Sequence, residues 1–197
     1  MSLAVVPTLF AALSPCHRRA AAIGLFSSST ALLSHRRPVS AAGGPPRLSW
    51  LDRLGPTDAP SEDNIFLQIL RGEAPADVVD ADDVLFTFRD YKPASTIHLL
   101  VIPRRFVRDA SMLNGQADAD LVRQMEARAR SLVRRQVGDD AFDEEELALG
   151  FHWPPWYSVP WLHLHAIYPR SAMTRRYKYT SFSFKSPDYV LDRLERE

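Results

Sequence analysis

The stretch PWLHLHAIYP, residues 160–169, sets two histidines one residue apart in an apolar run, with a tryptophan at the same spacing before them. Side chains of a strand repeat every two residues, so Trp161, His163 and His165 share one face and Leu162, Leu164 and Ala166 the other. The apolar set is the natural core face, which aims the two imidazoles at a surface or cleft, roughly 7 Å apart at the backbone. Three uses are open to them. They can be ordinary polar residues on the outer face of a sheet. They can belong to a metal clip, which needs a further ligand that His98 or His152 could bring from a neighbouring strand. Or one neutral imidazole attacks a phosphorus or acyl centre while its neighbour hands a proton to the leaving group, a task suited to a side chain with an ordinary pKa of about 6.5.

Positioning these residues requires a sheet, and the surrounding sequence supplies one. SEDNIFLQILRGEAP has Ser61 or Asp63 as a helix N-cap, Ile65, Phe66, Ile69 and Leu70 at helical spacing, and Gly72 and Pro75 as stops. ADVVDADDVLFTFRD forms two β-branched or aromatic runs about an Asp-rich turn, which predicts a hairpin, and STIHLLVIPRR predicts a third strand closed by Pro103. DADLVRQMEARARSLVRRQVG places Leu121, Met125, Leu132 and Val133 on one face of the longest helix, with an arginine-rich solvated face opposite and Gly138 as its stop. ELALGFHW and WLHLHAIY read as two further strands, joined by the stiff aromatic PPWYSVP, and SPDYVLDRLERE as a closing helix with Ser186 as N-cap and Pro187 in its first position. The expectation is an α+β domain with a mainly antiparallel five-stranded sheet, one long helix and two short ones.

Composition bounds the rest. The chain has 197 residues, 24 basic and 24 acidic, and is 46% hydrophobic, which suits one modest core with additional length. Its first 50 residues contain arginines 18, 19, 36, 37 and 47 but no Asp, Glu or Lys. Subtracting these five from 24 leaves 19 basic residues against 24 acidic ones, which argues against a nucleic-acid-binding stripe. An acid-free opening rich in Arg, Ala and Ser has the composition of a mitochondrial or plastid transit peptide. The alternatives are a disordered leader and a cytoplasmic or nuclear protein. No run in it suits a membrane span. Residues 51–61 read as a linker and 62–197 as the folded domain, from which the only cysteine, Cys16, is missing, so neither disulfides nor thiolate metal sites are expected there.

Four segments together carry a resemblance. WLHLHAIYP is similar to the H-x-H-x-H signature of the histidine triad superfamily, and GFHWPPWYSVP to the G-F-H-x-P-P segment of its third nucleotide-binding branch. FRDYKPASTIHLLVIPRR resembles the same family's F-x-D-x-x-P strand and turn followed by its H-x-L-V-x-P strand. The resemblance implies a homodimeric nucleotidyl hydrolase or transferase that acts on purine nucleoside phosphoramidates without metal or other cofactor. It implies His163 as the nucleophile that becomes a covalent AMP-histidine, and His165 as its partner at the phosphate or leaving group. It further implies Ser158 near the phosphate oxygens, Phe88 packed on the base, Asp90 on the ribose hydroxyls and His98 in the neighbouring strand. Tyr91 adds apolar surface for a purine, and Asp90 is an acceptor of the kind a ribose diol needs. From their local sequence alone, Phe88 could equally be core and Asp90 could merely open the DYKP turn.

Two departures matter. The family's first triad histidine is Trp161, which raises the alternative of a weakened enzyme, or a nucleotide-binding or scaffolding protein, whose indole disturbs the bond that fixes the His163 tautomer. Some relatives carry C-x-x-C in the first helix where this chain has Asn64 and Leu67, so no structural zinc is expected.

Overall fold

A computed structural model describes residues 59–196. The expected leader and most of the expected linker lie outside the described residues. In chain order the principal elements are α1 (Ile65–Arg71), β1 (Val78–Ala81), β2 (Leu85–Arg89), β3 (Ile97–Pro103), α2 (Gly115–Val137), β4 (Ala148–His152), β5 (Leu164–Tyr168), β6 (Phe184–Lys185) and α3 (Pro187–Arg196). The strands form one antiparallel sheet in the order β1-β2-β3-β5-β4-β6. The fold is therefore α+β as expected, with six strands rather than five. The additional strand is two residues long and pairs Phe151 with Lys185 and His152 with Phe184, too short to announce itself by alternation.

All seven residues of β3 are buried because both faces of the sheet are covered there. Ile97, Leu99 and Val101 meet Leu164 and Ala166 of β5 and the apolar stripe of α2, including Val122, Met125, Ala129 and Val133. Leu100 and Ile102 face the other way, into a second cluster with Phe88, Trp161 and the α1 residues Phe66, Leu67 and Leu70. A strand enclosed on both sides reads as a nearly continuous apolar run, which accounts for the sequence IHLLVI. His98 is the polar residue within that run, on the α1 face.

Local chemistry sets the ends of the elements. The N-cap of α1 is Asn64 rather than Ser61 or Asp63: its Oδ1 accepts from the amides of Phe66 at 2.9 Å and Leu67 at 3.4 Å. Its Nδ2 donates to the carbonyl of Pro160 at 3.2 Å, which ties the helix to the segment that leads into the histidines. Gly72, at φ 75°, ends the helix in the left-handed conformation that a glycine adopts without penalty. The two positions held by cysteines in some relatives are thus a helix cap and a fully buried core leucine.

Helix α2 begins at Gly115, three residues before its expected start, and ends at Gly138. Its arginine face is salt-bridged in part. Arg128 reaches Asp80 and Asp82 at the β1–β2 turn, and Arg130 holds Glu126 at 3.1 Å and Glu144 at 2.6 Å. Such exposed pairs each contribute about 0–1 kcal/mol. Among the described residues no helix is long and apolar enough to cross a membrane.

Candidate active site

The strand starts at Leu164, not at Trp161, so it carries His165 while His163 stands just before it. Residues 161 and 162 are held by other bonds: the Trp161 amide donates to Val159 O at 2.9 Å and the Leu162 amide to Val107 O at 2.7 Å. Trp161 is fully buried, with Phe106 edge-on at 5.2 Å and its Nε1–H donating to Pro103 O at 3.0 Å. The expectation that the imidazoles stand on an outward face is corrected as well. His163 and His165 are only 7% and 5% exposed, because α1 and the C-terminal connections cover that face of the sheet.

Burial decides their charge. His163 and His98 are each pushed down to about 4, and His165 well below its ordinary value, in every case chiefly because burial disfavours the imidazolium. His152 is lowered for the same reason. At neutral pH these four rings are uncharged, so each carries one proton, and its place follows from the partners.

The Nδ1 of His163 lies 2.5 Å from Trp161 O. A carbonyl only accepts, so His163 is protonated at Nδ1 and its Nε2 keeps a free lone pair. At the neighbouring histidine the order is reversed. The Ala94 amide, which only donates, points at His98 Nδ1 at 3.1 Å, so the His98 proton is on Nε2. That N–H donates to His165 Nδ1 at 2.8 Å, so His165 carries its own proton on Nε2, which is buried and has no partner among the described residues. Two rings with centroids 4.9 Å apart therefore offer complementary atoms, a lone pair on His163 and an N–H on His165. Phe66 packs edge-on against His163 at 5.3 Å, while His152, Tyr179 and Phe184 surround His165 at 4.7, 6.1 and 5.9 Å.

Both histidines line an open cavity of about 530 Å³ together with Asp90, Tyr91, His152, Trp156, Ser158 and residues of the chain after β5. Of the residues expected at the site, Asp90, Tyr91, Ser158, His163 and His165 meet at this cavity. His98 stands behind it as the partner of His165. Phe88 does not line it: the ring is 4% exposed in the α1-side core, edge-on to Phe66 at 5.3 Å, so the core alternative describes its surroundings. Asp90 serves two ends, since Oδ1 accepts the Lys92 amide at 2.7 Å in a tight turn while Oδ2 lies 3.6 Å from His98 Nδ1.

Asp90, His98 and His165 bring possible metal-ligand atoms within 4.8 Å of one another, with Asp90 in the place for which His152 was a candidate. The set fits a metal poorly, because both nitrogens of His98 and the Nδ1 of His165 are engaged in the hydrogen-bonded chain from Ala94. Sequence reasoning missed the Ala94 amide, Phe66, Tyr179 and Phe184. Only Phe184 left a usable signal, in Gly150: a Cβ there would come within 2.5 Å of the Phe184 ring, so the glycine of GFH is what lets that ring reach the histidines.

The fold and this arrangement define a histidine-centred site on an antiparallel sheet. The family model described as scavenger mRNA decapping enzyme C-terminal binding matches residues 63–179. Adenosine 5'-monophosphoramidase HINT3 of Xenopus tropicalis is 32% identical over 136 residues, which make up 66% of this chain and 86% of that protein. Purine nucleoside phosphoramidase of Escherichia coli is 28% identical over 82 residues, 42% of this chain and 69% of that protein. A solved HIT family hydrolase from Legionella pneumophila Philadelphia 1 is 29% identical with a TM-score of 0.47, covering 53% of this chain and 91% of that one. The chain belongs to the histidine triad superfamily and is similar to its HINT3 members.

Proposed function

We propose that the protein is a nucleotidyl hydrolase or transferase that cleaves purine nucleoside phosphoramidates through a covalent nucleotide on His163. The observation that carries this reading is the opposed hydrogen bonding of the two rings, His163 Nδ1 at a carbonyl and His165 Nδ1 at the His98 chain that begins at an amide, with the names of the HINT3 and bacterial relatives in support. Nε2 of His163 attacks the α-phosphorus in line and the P–N bond breaks, its electron pair leaving with the amine nitrogen. A phosphate anion beside His165 favours one additional proton, drawn from solvent and placed on His98 Nδ1, which Asp90 Oδ2 faces at 3.6 Å; as His165 Nε2–H passes to the amine nitrogen, the His98 Nε2 proton moves to His165 Nδ1. The phospho-imidazolium is stabilised where its Nδ1–H meets Trp161 O. Water then attacks phosphorus and gives a proton to His165 Nε2, and the P–Nε2 bond returns its pair to His163. Ser158 offers a hydroxyl to the phosphoryl oxygens, and Asp90 and Tyr91 take the ribose and base.

The supporting hydrogen bond comes from the main chain of residue 161, so the tryptophan in the first triad position leaves it in place. This favours retained turnover over the pure binding protein. The test is release of a fluorescent amine from an adenosine 5'-phosphoramidate by the full chain, with intact mass recorded for a trapped nucleotidyl adduct. His163→Ala should abolish both signals, and His165→Ala should slow turnover by about 10²–10⁴-fold, the range of one general acid. AMP binding with no turnover by the natural protein would sink the proposal and leave the binding protein.

A further inference from the structure

The cavity beside the histidines is walled by three connections: Asp90 to Lys92 from β2–β3, Trp156 and Ser158 from β4–β5, and residues 175–183 from β5–β6. Two of its properties go unused in the reaction above. The first is charge. Lys92, Arg175 and Lys178 line it against the one carboxylate of Asp90, and none of the three forms an ion pair among the described residues. Arg175 makes a long contact of 3.5 Å to Lys92 O, and the Lys92 ammonium sits 4.9 Å over the exposed Tyr91 ring. Arg175 is also the one non-glycine residue at positive φ, 53°, among the described residues. A β-carbon there costs on the order of 1 kcal/mol, and outliers of this kind gather at ligand sites.

The second property is exposed aromatic surface. Trp156, Tyr177 and Phe182 are 55%, 73% and 73% exposed, and the Trp156 and Phe182 rings lie 5.8 Å apart across two of the walls. Large rings left in water around a cavity are suited to a flat apolar group arriving there.

We propose that the group displaced from phosphorus is aromatic and carries a negative charge, held by Arg175, Lys178 and Lys92 against the Trp156–Phe182 wall; the inference rests on the phosphoramidase reading. Asp90 and Tyr91 are taken by the nucleoside, which leaves this wall to the departing amine. An amine bearing a carboxylate and a ring system meets both properties, whereas a neutral alkyl amine meets neither.

The experiment compares kcat/KM of the full-length protein on adenosine 5'-phosphoramidates of tryptophan, tryptamine and alanine. The tryptophan and tryptamine conjugates differ by one carboxylate, and the alanine conjugate keeps the carboxylate without the ring system. The tryptophan conjugate should exceed the tryptamine one about fivefold, the size of one exposed ion pair, and the alanine one about tenfold. The double variant Arg175→Gln, Lys178→Gln should bring the tryptophan-to-tryptamine ratio to unity, as should high salt. Equal rates on all three conjugates would overturn this inference alone, and so would a double variant that slows both indole conjugates alike, which would assign the cations to the α-phosphate. Turnover of none of the three would overturn the phosphoramidase reading and this inference with it.

Discussion

Replacing Trp161 separates packing from catalysis, because the residue contributes an indole to the core and a carbonyl to the nucleophile. The side chain is fully buried between Phe106 and the α1-side cluster, and Nε1–H satisfies Pro103 O at 3.0 Å. Trp161→Ala should cost about 3–5 kcal/mol for the cavity and about 1 kcal/mol more for the orphaned carbonyl, a large share of a domain stability of about 5–15 kcal/mol. Trp161→Phe keeps most of the volume and should cost about 2 kcal/mol. In both variants Trp161 O is replaced by an identical main-chain carbonyl, so the 2.5 Å bond to His163 Nδ1 persists. Urea unfolding should show the stability losses as lowered midpoints at an unchanged slope. Single-turnover formation of the nucleotidyl enzyme, measured well below those midpoints, should stay within about threefold of the natural protein for Trp161→Phe and Trp161→His, since a lost transition-state contact would cost far more. A hundredfold loss in a folded Trp161→Phe protein, or a large gain in Trp161→His, would refute the reasoning and give the side chain a direct part in the chemistry.

The pH dependence follows from burial. With His163 pushed down to about 4, its lone pair is available throughout the neutral range, and the acid limb of kcat/KM should fall near pH 4 rather than 6.5. The same shift has a stability sign: between about pH 6.5 and 4 the unfolded imidazole binds a proton that the folded one does not. Stability is thus full above the unfolded value and declines as pH falls through that window, by up to about 3 kcal/mol for His163, readable as a falling urea midpoint. Gly150→Ala should drive the Phe184 ring off the histidines, costing about 1–3 kcal/mol and lowering kcat; an unchanged melting curve would show that the ring moves freely. The acid-free composition of residues 1–50 predicts that they carry a fluorescent reporter to a mitochondrion or plastid, and a reporter left in the cytosol would end that reading. The homodimer implied by the family should appear as twice the chain mass of 22.3 kDa in sedimentation.

The order of helices and strands was legible because each long element repeats its apolar residues at its own period. The two-residue alternation in WLHLHA also groups Trp161, His163 and His165 apart from Leu162, Leu164 and Ala166, as the two core clusters and the adjoining imidazoles do. It did not reveal that this face is covered, since periodicity says which residues point together and not what lies opposite. For that reason the sequence pattern points the histidines at a surface and does not separate base from core for Phe88. The local sequence points to Ser61 or Asp63 as the cap of α1 rather than Asn64, because part of what holds Asn64 there comes from Pro160, 96 residues away. Most of what sets the proton positions was invisible for a different reason. The donor at Ala94 and the acceptor at Trp161 are main-chain groups, an N–H that every residue but proline possesses and a carbonyl that every residue possesses, and only the fold brings those two to the rings.

The Ala94 amide gives the row of imidazoles a fixed polarity. Its N–H cannot reverse, so at rest the chain His98 to His165 runs one way, ending in a donor at the cavity. The carbonyl of the same residue accepts from both the amide and the hydroxyl of Thr174, at 2.6 and 3.1 Å, next to Arg175. The loop that bears the cavity's cations is thereby moored to the residue that orients the protons of the row, so a shift of that loop on meeting a ligand would reach His98 through Ala94.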